Sequence, residues 1–380
     1  MTEKLFYKDA YIKEFYAEVL SCEKEKNLYK IILDKTAFFP EGGGQTADTG
    51  FIGDAKVVDV QEKGEEIIHF SDKEVTGTVF CKLDFDRRYV KMQNHTGEHL
   101  MSGIAHRLFG AENVGFHLGD DVVTMDYDIQ LTKEQLQQVE LEANKAIYAN
   151  TEIISHFPKP EELENLTYRA KLDLKENVRI IEIKDYDMCA CCAPHVKRTG
   201  EVGLVKIVES MNWKGGTRLF IHCGLEGFLH YRKTYETVKA ISGLLSAKQE
   251  NLTQFVEKYM EDTNKLKYEL EQADLERARL IATTFEKTDK SIVVKDGFLK
   301  TEGMRELVNL LKEKTDKCVC VLTGIDGAYR FIMGADNMPL RTLIKDINAK
   351  LNGKGGGNDQ MVQGSFNSTF AEIEETIKSI

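Results

Sequence analysis

Two histidines in the segment His95-Thr-Gly-Glu-His99 constrain this chain more than any other feature of its sequence. Residues four positions apart lie about one turn apart on one face of a helix. The surrounding apolar residues recur at helical spacing without an intervening proline, so the segment is expected to be helical. Two imidazoles on one helix face supply half of a tetrahedral zinc shell, although two ordinary helix histidines give the same pattern.

A second pair, Cys191 and His195, repeats the four-residue spacing. Three of the eight cysteines (Cys189, Cys191 and Cys192) crowd into four positions, which makes this segment a candidate site. Pro194 disfavours a regular helix here, so the pair is expected to come from a loop opposite the histidine helix. Three imidazole nitrogens and one thiolate would fill a zinc shell. The extra thiols at Cys189 and Cys192 could compete for the metal.

Composition excludes several classes of protein. Apolar residues make up 42% and charged residues 30% of the 380 positions, as in a globular protein with two or three domains. No apolar run approaches the ~20 residues of a membrane span, and the first residues lack a signal-peptide pattern, so a cytoplasmic location without a membrane partner is expected. The net charge of -11 argues against purely electrostatic binding of nucleic acid.

The pattern along the chain predicts an α+β protein in four parts. Residues 1–84 read as a small antiparallel β-barrel, with strands at residues 14–22, 28–33, 57–60, 67–70 and 78–83. Residues 85–228 read as an α+β zinc-binding domain, with strands at 122–128, 152–157 and 178–183. Thr132 and Gln135 form a capping-box pair that begins a helix there. A helical linker at 229–288 and a C-terminal α/β domain at 289–380 follow.

A glycine-rich motif interrupts the barrel strands at residues 36–50. Gly42, Gly43 and Gly44 are consecutive, with Gln45 and Asp48 beside them. A loose hairpin turn is one reading. Three glycines exceed what a turn needs. They favour a loop whose backbone closely approaches another group, with Gln45 and Asp48 as polar contacts.

Two later segments carry weaker patterns. In residues 231–285 the positions Val238, Leu245, Leu252, Tyr259, Leu266, Ala273 and Leu280 recur every seven residues. This half of a heptad seam predicts a long helix or helical hairpin, either as a homodimer contact or as a spacer packed on its own domain. The dimer contact could also lie in the C-terminal domain. A glycine-rich segment at 353–364 lacks Walker spacing but could bind phosphate as a loop.

Taken in order, these motifs resemble the stand-alone alanyl-tRNA editing family, the AlaX proteins, in their long form. The motifs are T-A-F-F-P-E-G-G-G-Q-T-A-D-T-G, H-T-G-E-H, the Cys191–His195 segment followed by V-K-R-T-G-E-V-G, and the terminal G-K-G-G-G. The family's C-G-G-T-H appears here as Cys191-Cys-Ala-Pro-His195, a departure that keeps the ligand spacing.

The resemblance implies a zinc-dependent hydrolase, with one Zn²⁺ per chain, that removes chiefly serine, and also glycine, from tRNA(Ala). By matching position it implies His95, His99, Cys191 and His195 as the metal ligands. Thr36, the three glycines and Gln45 fall on the motif that tells serine from alanine. His117 falls on a pocket segment and Arg218 on a late core pattern. The C-terminal part would bind tRNA.

Two rival functions remain at this stage. His95-Thr-Gly-Glu98-His99 also fits the H-x-x-E-H pattern of a metalloprotease with Glu98 as general base, but that scheme leaves Cys191 and His195 idle. In the tRNA interpretation Glu98 is expected to face solvent. A closed Cys–His shell is also typical of structural zinc, so a module that binds tRNA without chemistry is the other rival.

Overall fold

The computed structural model describes residues 2–119, 123–170 and 178–380. The chain divides into two compact units, Met1–Ala240 and Ile241–Ile380. The finer division at residues 84, 228 and 288 stays a prediction. Within the described ranges no helix has the length and apolar character to cross a membrane. The expected strand at residues 122–128 begins at position 122, which lies outside the described residues.

The first unit opens with a closed six-stranded barrel. The first nine elements of the unit are β1 (Glu3–Lys4), α1 (Leu5–Lys8), β2 (Glu14–Glu25), β3 (Leu28–Leu33), β4 (Lys35–Thr36), β5 (Gly50–Ile52), β6 (Ala55–Lys63), β7 (Glu66–Ser71) and β8 (Thr78–Leu83). The barrel strands follow the order β2-β3-β7-β6-β5-β8, and β1 pairs with β4 outside it. Alternation explains the inward faces: Val79, Cys81 and Leu83 are buried on β8, whereas the residues between them are exposed.

The histidine segment lies in a long helix, α2 (Phe85–Phe109), as its periodicity predicts. Asp84 caps its first turn by accepting a hydrogen bond from Arg87 N, and Gly110 ends it in the left-handed conformation. Positions 94 to 105 are all buried, so packing surrounds this part of the helix. The hydrophobic stripe seen in the sequence is therefore only one of several faces that α2 buries.

Two sheets and a second long helix complete the first unit. Its further elements are β9 (Asn113–Leu118), β10 (Val123–Tyr127), α3 (Lys133–Ala149), β11 (Ile153–His156), α4 (Pro160–Leu163), β12 (Ile180–Ile183), β13 (Asp187–Ala190), a 3-10 turn (Thr199–Val202), β14 (Val205–Trp213) and β15 (Gly216–Cys223). The strand orders are β14-β15-β10-β9 and β11-β12-β13. The capping box of Thr132 and Gln135 at the start of α3 is confirmed.

Small residues let α2 approach its neighbours closely. A Cβ on Gly97 would lie 2.4 Å from Cys223 Sγ, and one on Gly103 would lie 2.3 Å from Tyr186 O. Contacts this short are essentially never made by real Cβ atoms. Both positions therefore need glycine, and the helix lies directly against β15 and the start of β13.

The heptad segment is not one continuous helix. It forms α5 (Gly224–Leu245) and α6 (Leu252–Thr283), separated by a break that contains Ser246 with a positive φ of 50° and a 3-10 turn at Gln249–Asn251. Along α6 the heptad residues Tyr259, Leu266 and Leu280 are each about two-thirds exposed. The choice between a dimer contact and a spacer stays open.

The second unit contains a five-stranded sheet with helices. After α6 come β16 (Ile292–Lys295), α7 (Thr301–Lys312), β17 (Val319–Ile325), β18 (Ala328–Gly334), α8 (Leu340–Lys350), β19 (Lys354–Gly357), β20 (Met361–Phe366) and α9 (Phe370–Lys378). The order is β16-β17-β18-β20-β19. The mixed α and β character expected from the sequence is thus confirmed.

The terminal glycines are strand residues, so their reading as a phosphate-binding loop is wrong. Lys354–Gly357 pairs with β20 in antiparallel register. A Cβ on Gly355 would lie 2.5 Å from Gln363 O and 2.8 Å from the Gly364 Cα. Gly355 and Gly357 therefore permit the backbones of β19 and β20 to approach each other, whereas Gly356 has no atom within 4 Å of an added Cβ.

Candidate metal centre and its cavity

Four side chains from two parts of the first unit converge. His95 and His99 project from α2, while Cys191 and His195 come from the loop after β13. Their ligand atoms all lie within 4.8 Å of one another, and three of the residues are fully buried. The segments that carried the motif spacing in the sequence are therefore adjacent in space.

Hydrogen bonds orient the rings of these histidines. Gln45 Oε1 lies 3.0 Å from His95 Nδ1, and Asp187 Oδ2 lies 2.9 Å from His99 Nδ1. Both partners are acceptors, so Nδ1 is the protonated nitrogen and Nε2 bears the lone pair whenever the ring is neutral. Thr96 Oγ1 lies 3.1 Å from His195 Nδ1. Such partners fix the ring nitrogen that faces a metal and orient the ligand.

The donor set fits a tetrahedral metal ion. Cys191 Sγ lies 3.5 Å from His95 Nε2 and 3.4 Å from His195 Nε2. A tetrahedral zinc ion with ordinary bond lengths separates an imidazole nitrogen from a sulfur by about 3.5 Å. Burial alone would raise the pKa of the Cys191 thiol, but His95 and His195 hold it well below its usual value. A thiolate with three imidazoles is a donor set that zinc prefers.

Binding of a metal would change the protonation of this cluster. Burial lowers the pKa of His195 to about 3, so this ring is neutral at physiological pH. Burial also disfavours charge on His99, but Cys189 and Asp187 raise its pKa well above the usual value. Metal binding at His99 Nε2 requires the neutral ring, so metal uptake is expected to release protons.

A cavity of about 880 Å³ opens beside the cluster. His95, His99 and Cys191 line it, together with Gly43 and Gly44 of the glycine-rich motif. A volume of several hundred Å³ is typical of pockets that enclose a small ligand. The donor set therefore faces a space large enough for a substrate.

The glycine-rich loop lies between this cavity and β9. Gly43 and Gly44 have φ values of +60° and +80°, and a Cβ on Gly44 would lie 2.5 Å from Phe116 O. Gly42 and Gln45 pair with each other and close the turn. The close approach expected from the glycines is thus an approach to a strand of the same chain, and it exposes the loop backbone to the cavity.

The polar residues of the motif lie inside the protein. Gln45 is fully buried behind His95, and its Nε2 has no hydrogen-bond partner among the described residues. Asp48 is buried, pairs with the Arg88 guanidinium and accepts a hydrogen bond from Phe39 N. Asp48 therefore fixes the start of α2 against the loop.

Thr36, on β4, is buried against His69 of the barrel strand β7. Its hydroxyl is 2.8 Å from His69 Nε2 and 3.1 Å from Phe38 N, and Thr36 and His69 are completely buried. His69 Nδ1 donates to Ile31 O at 3.1 Å. The Thr36 hydroxyl therefore donates to His69 and accepts from Phe38 N, and both bonds are internal to the barrel.

Two other residues carried over from the resemblance lie on the four-stranded sheet. His117 on β9 is exposed and pairs in register with Thr124. Arg218 on β15 makes two hydrogen bonds of 2.6 Å to Asp126, and its Cζ lies 4.0 Å from the centre of the Trp213 ring. In this structure Arg218 has a packing and pairing role.

Several residues of the site have no signature in the sequence. Asp187 joins His99 to Arg169, whose guanidinium donates hydrogen bonds of 2.7 and 2.9 Å to its two oxygens. Burial opposes charge on Asp187, but these two partners hold its pKa below the usual value. His99, Asp187 and Cys189 also form a second group of close donor atoms.

Glu98 does not face solvent as expected. It is 3% exposed and lines the cavity, and its Oε1 accepts hydrogen bonds from Ser102 Oγ and Asn113 Nδ2. Its Oε2 lies 3.8 Å from His99 Nε2. The expectation is wrong because α2 is packed on nearly all sides at this point, which one helical stripe in the sequence does not reveal.

Family matches cover parts of the first unit. Residues 178–220 match the threonyl and alanyl tRNA synthetase second additional domain. Residues 3–87 match the class II (A) tRNA synthetases.

Several proteins are similar to this chain over nearly its whole length. The alanyl-tRNA editing protein AlaX-L of Pyrococcus horikoshii is 26% identical over 98% of this chain and 96% of its own length. The alanyl-tRNA editing protein Aarsd1-B of Xenopus laevis is 28% identical over the same shares. The alanine–tRNA ligase of Ignicoccus hospitalis is 30% identical over 93% of this chain but only 40% of the ligase.

Among solved structures, the C-Ala domain of Aquifex aeolicus alanyl-tRNA synthetase matches 25% of this chain and 93% of that domain. Its sequence identity is 20% and its TM-score is 0.22. The whole-length relatives, rather than this fragment, carry the comparison. The chain is therefore similar, along nearly its entire length, to the alanyl-tRNA editing proteins, which confirms the resemblance indicated by its motifs.

Proposed function

We propose that this protein is an aminoacyl-tRNA hydrolase that acts in trans to alanyl-tRNA synthetase. It would cleave the ester that joins serine, and also glycine, to tRNA(Ala). The observation that carries the proposal is the convergence of His95, His99, Cys191 and His195 beside a substrate-sized cavity. The chain's similarity over its whole length to proteins named for alanyl-tRNA editing supports the same reaction.

The four converging residues would hold one zinc ion per chain. When bound, such an ion polarises a carbonyl oxygen or lowers the pKa of a water molecule to about 7. Side chains of the protein would position the ligands and transfer protons. Gln45, Thr96 and Asp187 hold the three rings in position, and Glu98 Oε2 in the cavity wall can accept a proton from an attacking water.

Selection of serine over alanine would follow from unpaired polar groups. A site built to hydrogen-bond the seryl hydroxyl leaves those groups without partners when alanine enters, and burying unpaired polar groups is unfavourable. The exposed backbone of Gly43 and Gly44, which lines the cavity, is our first candidate for these contacts. The buried Gln45 Nε2, which has no partner among the described residues, is the second. Thr36 and Asp48 would act through the loop that they anchor, and His117 would contact the substrate outside the cavity.

Neither rival function gains support. A metalloprotease of the H-x-x-E-H type has no use for Cys191 and His195, yet these residues lie with the two histidines. A purely structural zinc site has no need of a cavity lined by three of its ligands and a buried carboxylate. The C-terminal unit as a tRNA-binding module, and homodimer formation through the linker or this unit, belong to the same proposal.

Deacylation assays test the proposed function. Purified protein should hydrolyse Ser-tRNA(Ala) and Gly-tRNA(Ala) while sparing Ala-tRNA(Ala). Cys191→Ala should lose zinc and at least about a hundredfold in rate, because it removes the one thiolate of the shell. Cys22→Ala is the matched control, since Cys22 is a free thiol of the barrel far along the chain from the ligands.

Each outcome of this assay has a clear meaning. A zinc-loaded, folded wild type that hydrolyses none of the three aminoacyl-tRNAs would overturn the enzyme and leave a binding module. Equal hydrolysis of Ser- and Ala-tRNA(Ala) would remove the editing role but keep the hydrolase. Glu98→Gln should slow tRNA deacylation, and no peptidase activity should be detectable in any variant.

A further inference from the structure

Arg179 is an arginine of the cavity wall that the chemistry above does not use. Only 7% of its surface is exposed. Its Nη1 donates hydrogen bonds to Cys191 O at 3.2 Å and to Ala193 O at 2.7 Å. The Tyr7 ring covers it, with its centre 5.4 Å from the guanidinium carbon. The loop between Cys191 and His195 therefore holds this guanidinium in a fixed position.

The charge of Arg179 has no carboxylate partner among the described residues, in contrast to the other cations of the cavity wall. Arg169 pairs with Asp187, and Lys4 pairs with Glu62 at 2.6 Å. The guanidinium of Arg179 contacts neutral carbonyls and an aromatic ring instead, and the nearby Cys191 sulfur, whose charge it senses, has His95 and His195 as its hydrogen-bond partners. Its Nε is buried without any hydrogen-bond partner in the described part of the chain. Burying an unpaired charge is unfavourable, and this site is therefore prepared for an anion that arrives from outside.

The position of Arg179 suits one anion of an aminoacyl-tRNA end. Its Nη1 is 3.2 Å from Cys191 O. The oxygen and sulfur of one cysteine are at most about 5 Å apart, so the guanidinium lies within roughly 8 Å of the thiol. In the terminal nucleotide, six covalent bonds separate the ester carbon from the phosphorus of the 5′-phosphodiester. They span at most about 8 Å.

We propose that Arg179 binds the phosphodiester of the 3′-terminal nucleotide of tRNA and thereby positions the aminoacyl ester at the donor set. This inference rests on the proposed function and names a substrate contact for it. The reacting ester is itself uncharged, so this phosphodiester is the anion closest to the bond that breaks. A guanidinium is well suited to it, because its planar fork can bind two phosphate oxygens at once.

Binding of non-hydrolysable analogues tests the proposal without any catalytic step. The probe is 3′-serylamino-3′-deoxyadenosine, made with either a free 5′-hydroxyl or a 5′-methyl phosphodiester. Zinc-loaded wild type should bind the phosphodiester form at least about tenfold more tightly, as expected for a charge-assisted hydrogen bond. Arg179→Gln should bind both forms alike, so that the affinity ratio of the two analogues falls to about one while the zinc content stays that of wild type. Arg232→Gln, an exposed arginine of α5, is the matched control and should keep the preference.

The outcomes separate phosphate binding from support of the loop. If wild type binds the two analogues equally, the proposal is overturned, whatever the variants do. If Arg179→Gln weakens both analogues equally and also lowers the zinc content, Arg179 supports the loop and the proposal again fails. Retention of the preference in Arg179→Gln would likewise refute it.

Kinetics give a second, independent reading. Arg179→Gln should lower kcat/KM for Ser-tRNA(Ala) at least about tenfold more than it lowers kcat/KM for seryl-adenosine, which has no phosphate. If wild type keeps the phosphate preference but does not hydrolyse Ser-tRNA(Ala), the anion site stands and the proposed function falls. If wild type hydrolyses Ser-tRNA(Ala) without a phosphate preference, the proposed function stands and the anion site falls.

Discussion

The buried residue His69 makes the stability of the barrel depend on pH. Burial lowers its pKa to about 4, from an ordinary value of 6.5. The neutral ring bridges Ile31 O and the Thr36 hydroxyl, so the folded state excludes the proton that the unfolded chain binds below pH 6.5. The contribution of His69 to stability is therefore complete above pH 6.5 and is lost as the pH falls toward 4.

A variant without the titrating ring should remove this dependence. Between pH 7 and 4, wild type should lose about 3 kcal/mol of unfolding free energy that His69→Gln does not lose, because one pKa unit corresponds to about 1.4 kcal/mol. Urea unfolding at several pH values, followed by circular dichroism, measures the difference. Identical pH profiles for the two proteins would show that His69 does not titrate as its burial demands.

The contact between α2 and β13 is the element-scale feature on which the metal centre depends. Gly103 lies against Tyr186 O and Asp187, and β13 leads directly into the loop with Cys191. Any displacement of β13 from the helix would also displace two of the four ligands and the carboxylate that orients His99.

Adding one methyl group at this contact should separate the two halves of the centre. Gly103→Ala would place a Cβ 2.3 Å from Tyr186 O, and overpacking of this kind costs about 1–3 kcal/mol. Zinc affinity should fall together with stability. Gly243→Ala in α5 is the control, because nothing lies within 4 Å of its added Cβ, and it should be neutral or slightly stabilising. Denaturation and zinc-competition titrations measure both effects, and an unchanged zinc affinity in Gly103→Ala would contradict the argument.

Sequence patterns predicted those elements whose cause is local. The periodicity around His95 and His99 indicated α2, and the Thr132–Gln135 pair indicated the start of α3. The patterns misjudged features that depend on neighbours distant in sequence. Glu98 is buried because several elements surround α2, and the glycines near position 355 pair with β20. Arg179 has no local signature, since only the fold brings a loop carbonyl and a cavity to it.

At the scale of the whole molecule, the two units should respond differently to metal removal. All four candidate ligands belong to the unit Met1–Ala240, which also contains Trp213, the only tryptophan of the chain. A metal that binds only the folded state stabilises it by about 4 kcal/mol when its concentration is a thousand times its dissociation constant. Chelation should therefore lower the melting temperature reported by Trp213 emission.

Calorimetry supplies the internal control for this experiment. A transition that belongs to Ile241–Ile380 should keep its temperature after chelation, since none of the four candidate ligands lies in this unit. No shift in Trp213 emission would show that the metal is not coupled to folding of the first unit. Equal shifts of all transitions would show that its effect is not confined to that unit.

The separation of the ligands along the chain has a topological consequence. His95 and Cys191 are 96 positions apart. An ion bound by both would close a loop as a reversible cross-link, and a covalent link closing a loop of about a hundred residues removes roughly 4–5 kcal/mol of chain entropy from the unfolded state. The same four bonds would then form the reactive centre and would also cross-link two distant parts of the polypeptide. A cell short of zinc would lose the folded protein along with its activity, so zinc supply would set the amount of this protein as well as its rate.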